Sequence, residues 1–143
     1  MKTYISAYFF TLIAFLVIDF IWLSTMASRL YRPAIGDLLA ENFRLAPAII
    51  FYLIYAAGLT FLAVRPALIS GQWTTALVYG AAVGFMAYAT YDLTNQATLK
   101  SWSTTLTIAD LLWGTFVSAA AAIIGYIVTV RLVGPLQNPA GVL

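Results

Sequence analysis

Four apolar stretches dominate the chain, each close to the roughly 20 residues that an α-helix needs to cross a bilayer core. They cover about residues 4–27, 47–64, 74–91 and 104–130. Pro47 stands in the first turn of the second stretch and Arg65-Pro66 follows its last, which read as start and stop signals. The fourth is followed by Arg131 and by the breakers Gly134, Pro135 and Pro139. The pattern predicts an all-α integral membrane bundle of four transmembrane helices, forming one domain over residues 1–143. The first stretch has a second reading as a signal peptide, with Lys2 as its basic start and Thr25-Met26-Ala27 as a loose cleavage site. Its apolar run is longer than a signal peptide's core, and it carries Asp19, so a span is the better fit.

Four crossings place both termini on one side, here side A, with the short 65–73 loop. Side B receives the longer connections 28–46 and 92–103. In the first of these, Ile35, Leu38, Leu39, Phe43 and Leu45 recur at helical spacing, with Asp37, Glu41 and Arg44 opposite. That spacing predicts a short amphipathic helix lying in the interface, with an irregular loop as the alternative. Lys2, Arg65, Arg131 and the amino terminus on side A balance Arg29, Arg32, Arg44 and Lys100 on side B. The positive-inside rule therefore gives no orientation. Gly80-xxx-Gly84 and Gly114-xxx-Ser118-xxx-Ala122 are small-residue rows that let helices approach closely. They are expected to pack the bundle internally rather than to join two copies.

Composition supports the same class. Hydrophobic residues make up 63% of the chain and charged residues 8%, against about 25% charged in soluble domains. A globule this short has too much surface to hide that much apolar area from water. The net charge of +2 is too small and too scattered for nucleic-acid binding. The chain has no cysteine and no histidine, which removes disulfides, thiolate nucleophiles, ordinary haem ligation and imidazole acid/base chemistry. Lys2 and Lys100 fall outside the spans, against a buried Schiff base. No cofactor is expected. Chemistry, if any, falls to carboxylates, hydroxyls, tyrosines or arginines.

Ionisable residues at membrane depth are costly and are site candidates by default. Asp19 and Asp110 lie inside the first and fourth stretches, and Asp92 closes the third, all toward side B. By helical rise, Asp110 lies roughly 9 Å and Asp19 roughly 12 Å from that end. Asp19-Phe-Ile-Trp22 and Asp110-Leu-Leu-Trp113 share a D-x-x-W spacing that puts each acid and indole on one helix face. Tyr8, Leu12, Phe15, Asp19, Trp22 and Met26 form one stripe of the first helix, expected to turn inward. Asp19, Trp22, Asp92, Asn95, Asp110 and Trp113 are thus the candidate ligand-binding set. Arg29 and Arg32 are candidate headgroup anchors. Three oxygen ligands, Asp19, Asp92 and Asp110, would suit a hard cation such as Mg²⁺. The same acids could instead serve only to fix helix register. Ser101 or Ser103 is placed to cap the fourth helix.

Asp19-x-x-Trp22, Tyr31-Arg32, the run 91–99 (YDLTNQATL) and Asp110-x-x-Trp113-Gly114 together resemble a family of small bacterial inner-membrane proteins classed as a domain of unknown function. The resemblance covers nearly the whole chain. It implies four helices, a bacterial source and the cytoplasmic membrane, and it supplies no activity.

Three functions fit these features. One is an accessory protein that binds an amphiphile, such as a lipid headgroup or lipid-like precursor, in a side-B acidic cleft. Another is a metal-dependent lipid-active enzyme using the aspartates. The third is a proton- or cation-coupled carrier, disfavoured because only scattered hydroxyls and tyrosines continue toward side A. The partners expected are membrane lipids, with a protein partner or a second copy.

Overall fold

The computed structural model describes residues 1–136, so Pro139 lies outside the described residues. Within them the chain is all-helical, without strands. Four long rods make the bundle: α1 (Lys2–Leu38), α2 (Leu45–Ser70), α3 (Trp73–Thr98) and α4 (Thr104–Val133). The first, second and fourth are long and apolar enough to cross a membrane. The third has 26 residues, enough length for a crossing at 1.5 Å per residue. Its apolar character is diluted by threonines, tyrosines, glycines and Asp92.

Two expected helix ends are not ends. Arg65-Pro66 does not stop α2, which continues to Ser70 and closes on Gly71 in the left-handed conformation (φ 70°). The expected 65–73 loop therefore shrinks to the Gly71-Gln72 turn. Likewise α1 runs past residue 27 to Leu38. In both rods a five-residue π-turn precedes an Arg-Pro pair: Ala27–Tyr31 before Arg32-Pro33, and Thr60–Val64 before Arg65-Pro66. Proline lacks an N–H and crowds the carbonyl four residues back. The wider turn resolves this, because the Arg32 N–H reaches back to the Ala27 carbonyl and the Arg65 N–H to that of Thr60, five residues away.

The amphipathic interfacial helix expected over 35–45 does not form. Gly36–Leu38 is a single tight turn, Leu39 is extended (ψ 138°), and residues 39–44 are irregular until α2 begins at Leu45. At the other side-B connection the departure is opposite. The polar run 92–98 is helical, so Asp92 and Asn95 sit on α3 rather than in a loop. Thr94 and Thr98 bond back to the carbonyls of Thr90 and Thr94, and Gln96 bridges to Thr104 and Thr107 of α4. Polarity there marks where an apolar run ends, not where the helix does. Ser103 caps α4, accepting from the Leu106 N–H at 3.3 Å.

α4 is the hub, packing along α3, α1 and the Thr60–Val64 turn of α2. The small-residue rows act within the chain. A Cβ on Gly84 would strike the Gly114 carbonyl and the Ser118 side chain, and one on Gly114 would enter the Tyr88 ring. The expected inward stripe of α1 is buried or half-buried throughout, with Phe15 and Asp19 deepest. Phe9, Ile13, Val17, Phe20 and Ile21 face outward, as a lipid-solvated surface requires. α2 contacts α3 along Thr60–Ser70, but its Leu45–Leu59 stretch makes no comparable contact. The two rods therefore fork toward side B.

Gly84→Ala and Gly114→Ala are expected to destabilise the bundle by about 1–3 kcal/mol each, the usual cost of overpacking. Gly58→Ala, whose Cβ would meet nothing within 4 Å, should be neutral. Unfolding titrations in mixed detergent micelles read the difference, and equal stability of all three variants would contradict the packing.

Candidate functional site

The two D-x-x-W elements meet because α1 and α4 run antiparallel. The Trp22 and Trp113 rings stack at 4.2 Å between centroids and 7° between planes. Their indole N–H groups then serve opposite acids. Trp113 Nε1 donates directly to Asp19 Oδ1 at 3.0 Å. Trp22 Nε1 donates to the Tyr31 hydroxyl at 3.1 Å, and that hydroxyl donates to Asp110 Oδ1 at 2.6 Å. Tyr31 reaches this position through the π-turn. Nine residues of regular α-helix are two and a half turns, which would set Tyr31 on the face opposite Trp22. The wider turn shifts that phase and returns the ring toward α4.

Asp19 and Asp110 differ in what remains open. Asp19 is 5% exposed, and Tyr52 of α2 donates to its second oxygen, Oδ2, at 2.7 Å. Both its oxygens are thus occupied, and the carboxylate ties α1, α2 and α4 together. Asp110 is equally buried, but Tyr31 occupies only Oδ1, and the side chain lines a cleft of about 360 Å³. The other walls of that cleft are Tyr31, Phe51, Tyr55, Ala87, Tyr88 and Tyr91. They come from the end of α1 and from both limbs of the α2–α3 fork. Tyr55 is braced by Ser118 at 2.7 Å, and Tyr88 lies across Gly114.

Asp92 is the third acid. It is fully buried on α3, and neither of its carboxylate oxygens has a hydrogen-bond partner. It sits between two α3–α4 contacts, Tyr88 on Gly114 and Gln96 on Thr107. It does not line the cleft. Asn95, three residues on, is half-buried and also outside the lining. Arg29 is exposed, and Arg32 lines a separate depression of about 190 Å³ with Asp37 and Ser101. Among the described residues no three His, Cys, Asp or Glu side chains converge as a metal-holding group, so Asp19, Asp92 and Asp110 do not form the ligand set considered from sequence.

The structure thus joins Asp19, Trp22, Asp110 and Trp113 in one network and leaves Asp92, Asn95, Arg29 and Arg32 outside it. Sequence reading missed the tyrosines: Tyr31, Tyr52, Tyr55 and Tyr88. The available signal was their position inside or beside apolar stretches, where a phenol hydroxyl can donate to a carboxylate without adding a second charge.

The chain matches, over residues 4–127, the family model described as "Predicted membrane protein (DUF2177)", and it belongs to that family. No curated protein and no solved structure matches it.

Removing one donor from Asp19 leaves a buried carboxylate oxygen unpaired, a loss of about 1–3 kcal/mol. Tyr52→Phe, which keeps its ring, and Trp113→Phe, which keeps a smaller aromatic ring, are both expected to lower stability by at least that amount. Trp22→Phe, which leaves both Asp19 donors in place, should cost less. Unfolding midpoints of the three variants in one detergent provide the comparison, and a Trp22→Phe loss as large as the others would contradict the division of roles.

Proposed function

We propose that this member of the family is a four-span protein of the bacterial cytoplasmic membrane that holds one amphiphile in the side-B fork, as an accessory factor for other membrane components. In this reading α3 crosses with the other three rods. Its length suffices, and its small-residue row, Gly80 and Gly84, is covered by α4. Burial against a neighbour relaxes the demand for hydropathy that a lipid-facing helix must meet.

The observation that carries the reading is the cleft itself. It lies where α2 and α3 separate, so lipid has lateral access between the rods. Its walls are apolar and aromatic along Phe51, Ala87 and Tyr88, and end on the polar Tyr31–Asp110 pair. An amphiphile presents the same order of surfaces, an apolar body and a polar end. Preformed concave sites with few placed polar groups are the usual form of a small-molecule site. Asp19 has both oxygens occupied by donors from other helices, whereas Asp110 lines the cleft with one oxygen left open to it.

Native mass spectrometry of protein released from lipid nanodiscs tests this. The wild type is expected to retain about one lipid-sized ligand per chain, and Ala87→Trp, which fills the cleft while leaving both carboxylates in the sequence, should lose it. Equal retention by a folded Ala87→Trp variant, or a bare wild type, would overturn the reading.

A further inference from the structure

We infer that the polar end of the amphiphile is a positively charged ammonium of a membrane lipid headgroup, seated against the tyrosines of the fork and the open oxygen of Asp110. The inference rests on the amphiphile reading and adds the charge of the ligand.

Three observations converge on a cation. First, the cleft is lined by five aromatic side chains, Tyr31, Phe51, Tyr55, Tyr88 and Tyr91. Aromatic faces attract ammonium groups through the ring quadrupole, and cages of this composition are the recurrent solution for organic cations. Second, the single charged residue in the lining is Asp110, and no lysine or arginine shares it. An anionic headgroup would meet a carboxylate and no counter-charge. Third, Asp92 lies on the neighbouring α3–α4 contact, fully buried with both oxygens unpartnered. Asp92, next in sequence to the lining residue Tyr91, thus adds a second acidic group behind the cleft, whose lining holds no basic one.

Geometry selects a lipid over a free amine. The fork is formed by the separation of two long helices, and Phe51 and Tyr91, on its two limbs, are 43% and 57% exposed. A headgroup arriving from the bilayer enters with its chains still between the helices. The terminal ammonium of an aminophospholipid is the part that reaches furthest, and its phosphate stays nearer the mouth. Asp110 accepts hydrogen bonds from the ammonium while Tyr31 keeps the other oxygen in place. The match is one of charge and shape, without a covalent step.

The test titrates short-chain phosphatidylethanolamine and phosphatidylglycerol with identical acyl chains into the full-length protein in a neutral detergent, read by native mass spectrometry. Phosphatidylethanolamine is expected to bind roughly tenfold or more tighter, the scale of one desolvated cation–aromatic contact with an adjacent carboxylate. Asp110→Asn, which can still accept from Tyr31, should erase the preference for phosphatidylethanolamine over phosphatidylglycerol. Tyr91→Leu, at an exposed position, should weaken phosphatidylethanolamine selectively and serves if Asp110→Asn folds poorly. Equal binding of both lipids, lost together in Ala87→Trp, would overturn the ammonium assignment and leave the amphiphile site standing. Preference for phosphatidylglycerol would do the same. Saturable binding of neither would overturn both readings.

Discussion

Asp19 and Asp110, held at membrane depth, take their hydrogen bonds from tyrosine hydroxyls and an indole N–H. An ionised group taken out of water costs several kcal/mol unless it is paired and hydrogen-bonded. With no histidine and both lysines outside the apolar stretches, Asp19 and Asp110 draw on aromatic side chains instead. Each donor comes from a different helix. Tyr52 of α2 and Trp113 of α4 meet on Asp19 of α1, while Tyr31 at the end of α1 meets Asp110 of α4. Satisfying these acids therefore sets the relative positions of three rods. The stacked Trp22–Trp113 pair links the two sets of hydrogen bonds.

The cleft follows from the same requirement. Tyr52 draws the side-B half of α2 toward Asp19 on α1, away from α3, while the Thr60–Ser70 portion remains packed on α3. α3 is held to α4 by glycine contacts and cannot follow. The resulting fork is bounded by the tyrosines of both limbs and closed at its base by Asp110. One acid is structural because both its oxygens are used. The other is available because only one is.

What hydropathy can express was legible in the sequence: the all-helical class, the membrane setting, the inward stripe of α1 and the small-residue rows of α3 and α4. Asp19 and Asp110 stood out because charge is rare in an apolar run. Helix ends were less legible, for two physical reasons. Proline reads as a stop, yet a π-turn before Pro33 and Pro66 carries the helix through. Polar residues read as loop, yet the threonines after Asp92 bond back to their own helix and extend it to Thr98. Amphipathic spacing over 35–45 did not yield a helix, because Gly36–Leu38 turns tightly and Leu39 is extended. The distinction between Asp19 and Asp110 was not legible at all. The two share the same local motif, and what separates them is whether a tyrosine from α2 arrives, which is a property of the packed bundle.

The most direct measurement is photolabelling of the protein in native-composition membranes with a lipid carrying a diazirine in its acyl chain, followed by mapping of the labelled residues. Lipid resident in the fork should concentrate label on Phe51 and Ala87, on the two facing limbs. Label spread evenly over the outer apolar surface of α1, on Phe9, Ile13 and Val17, with no enrichment in the fork, would contradict a bound amphiphile.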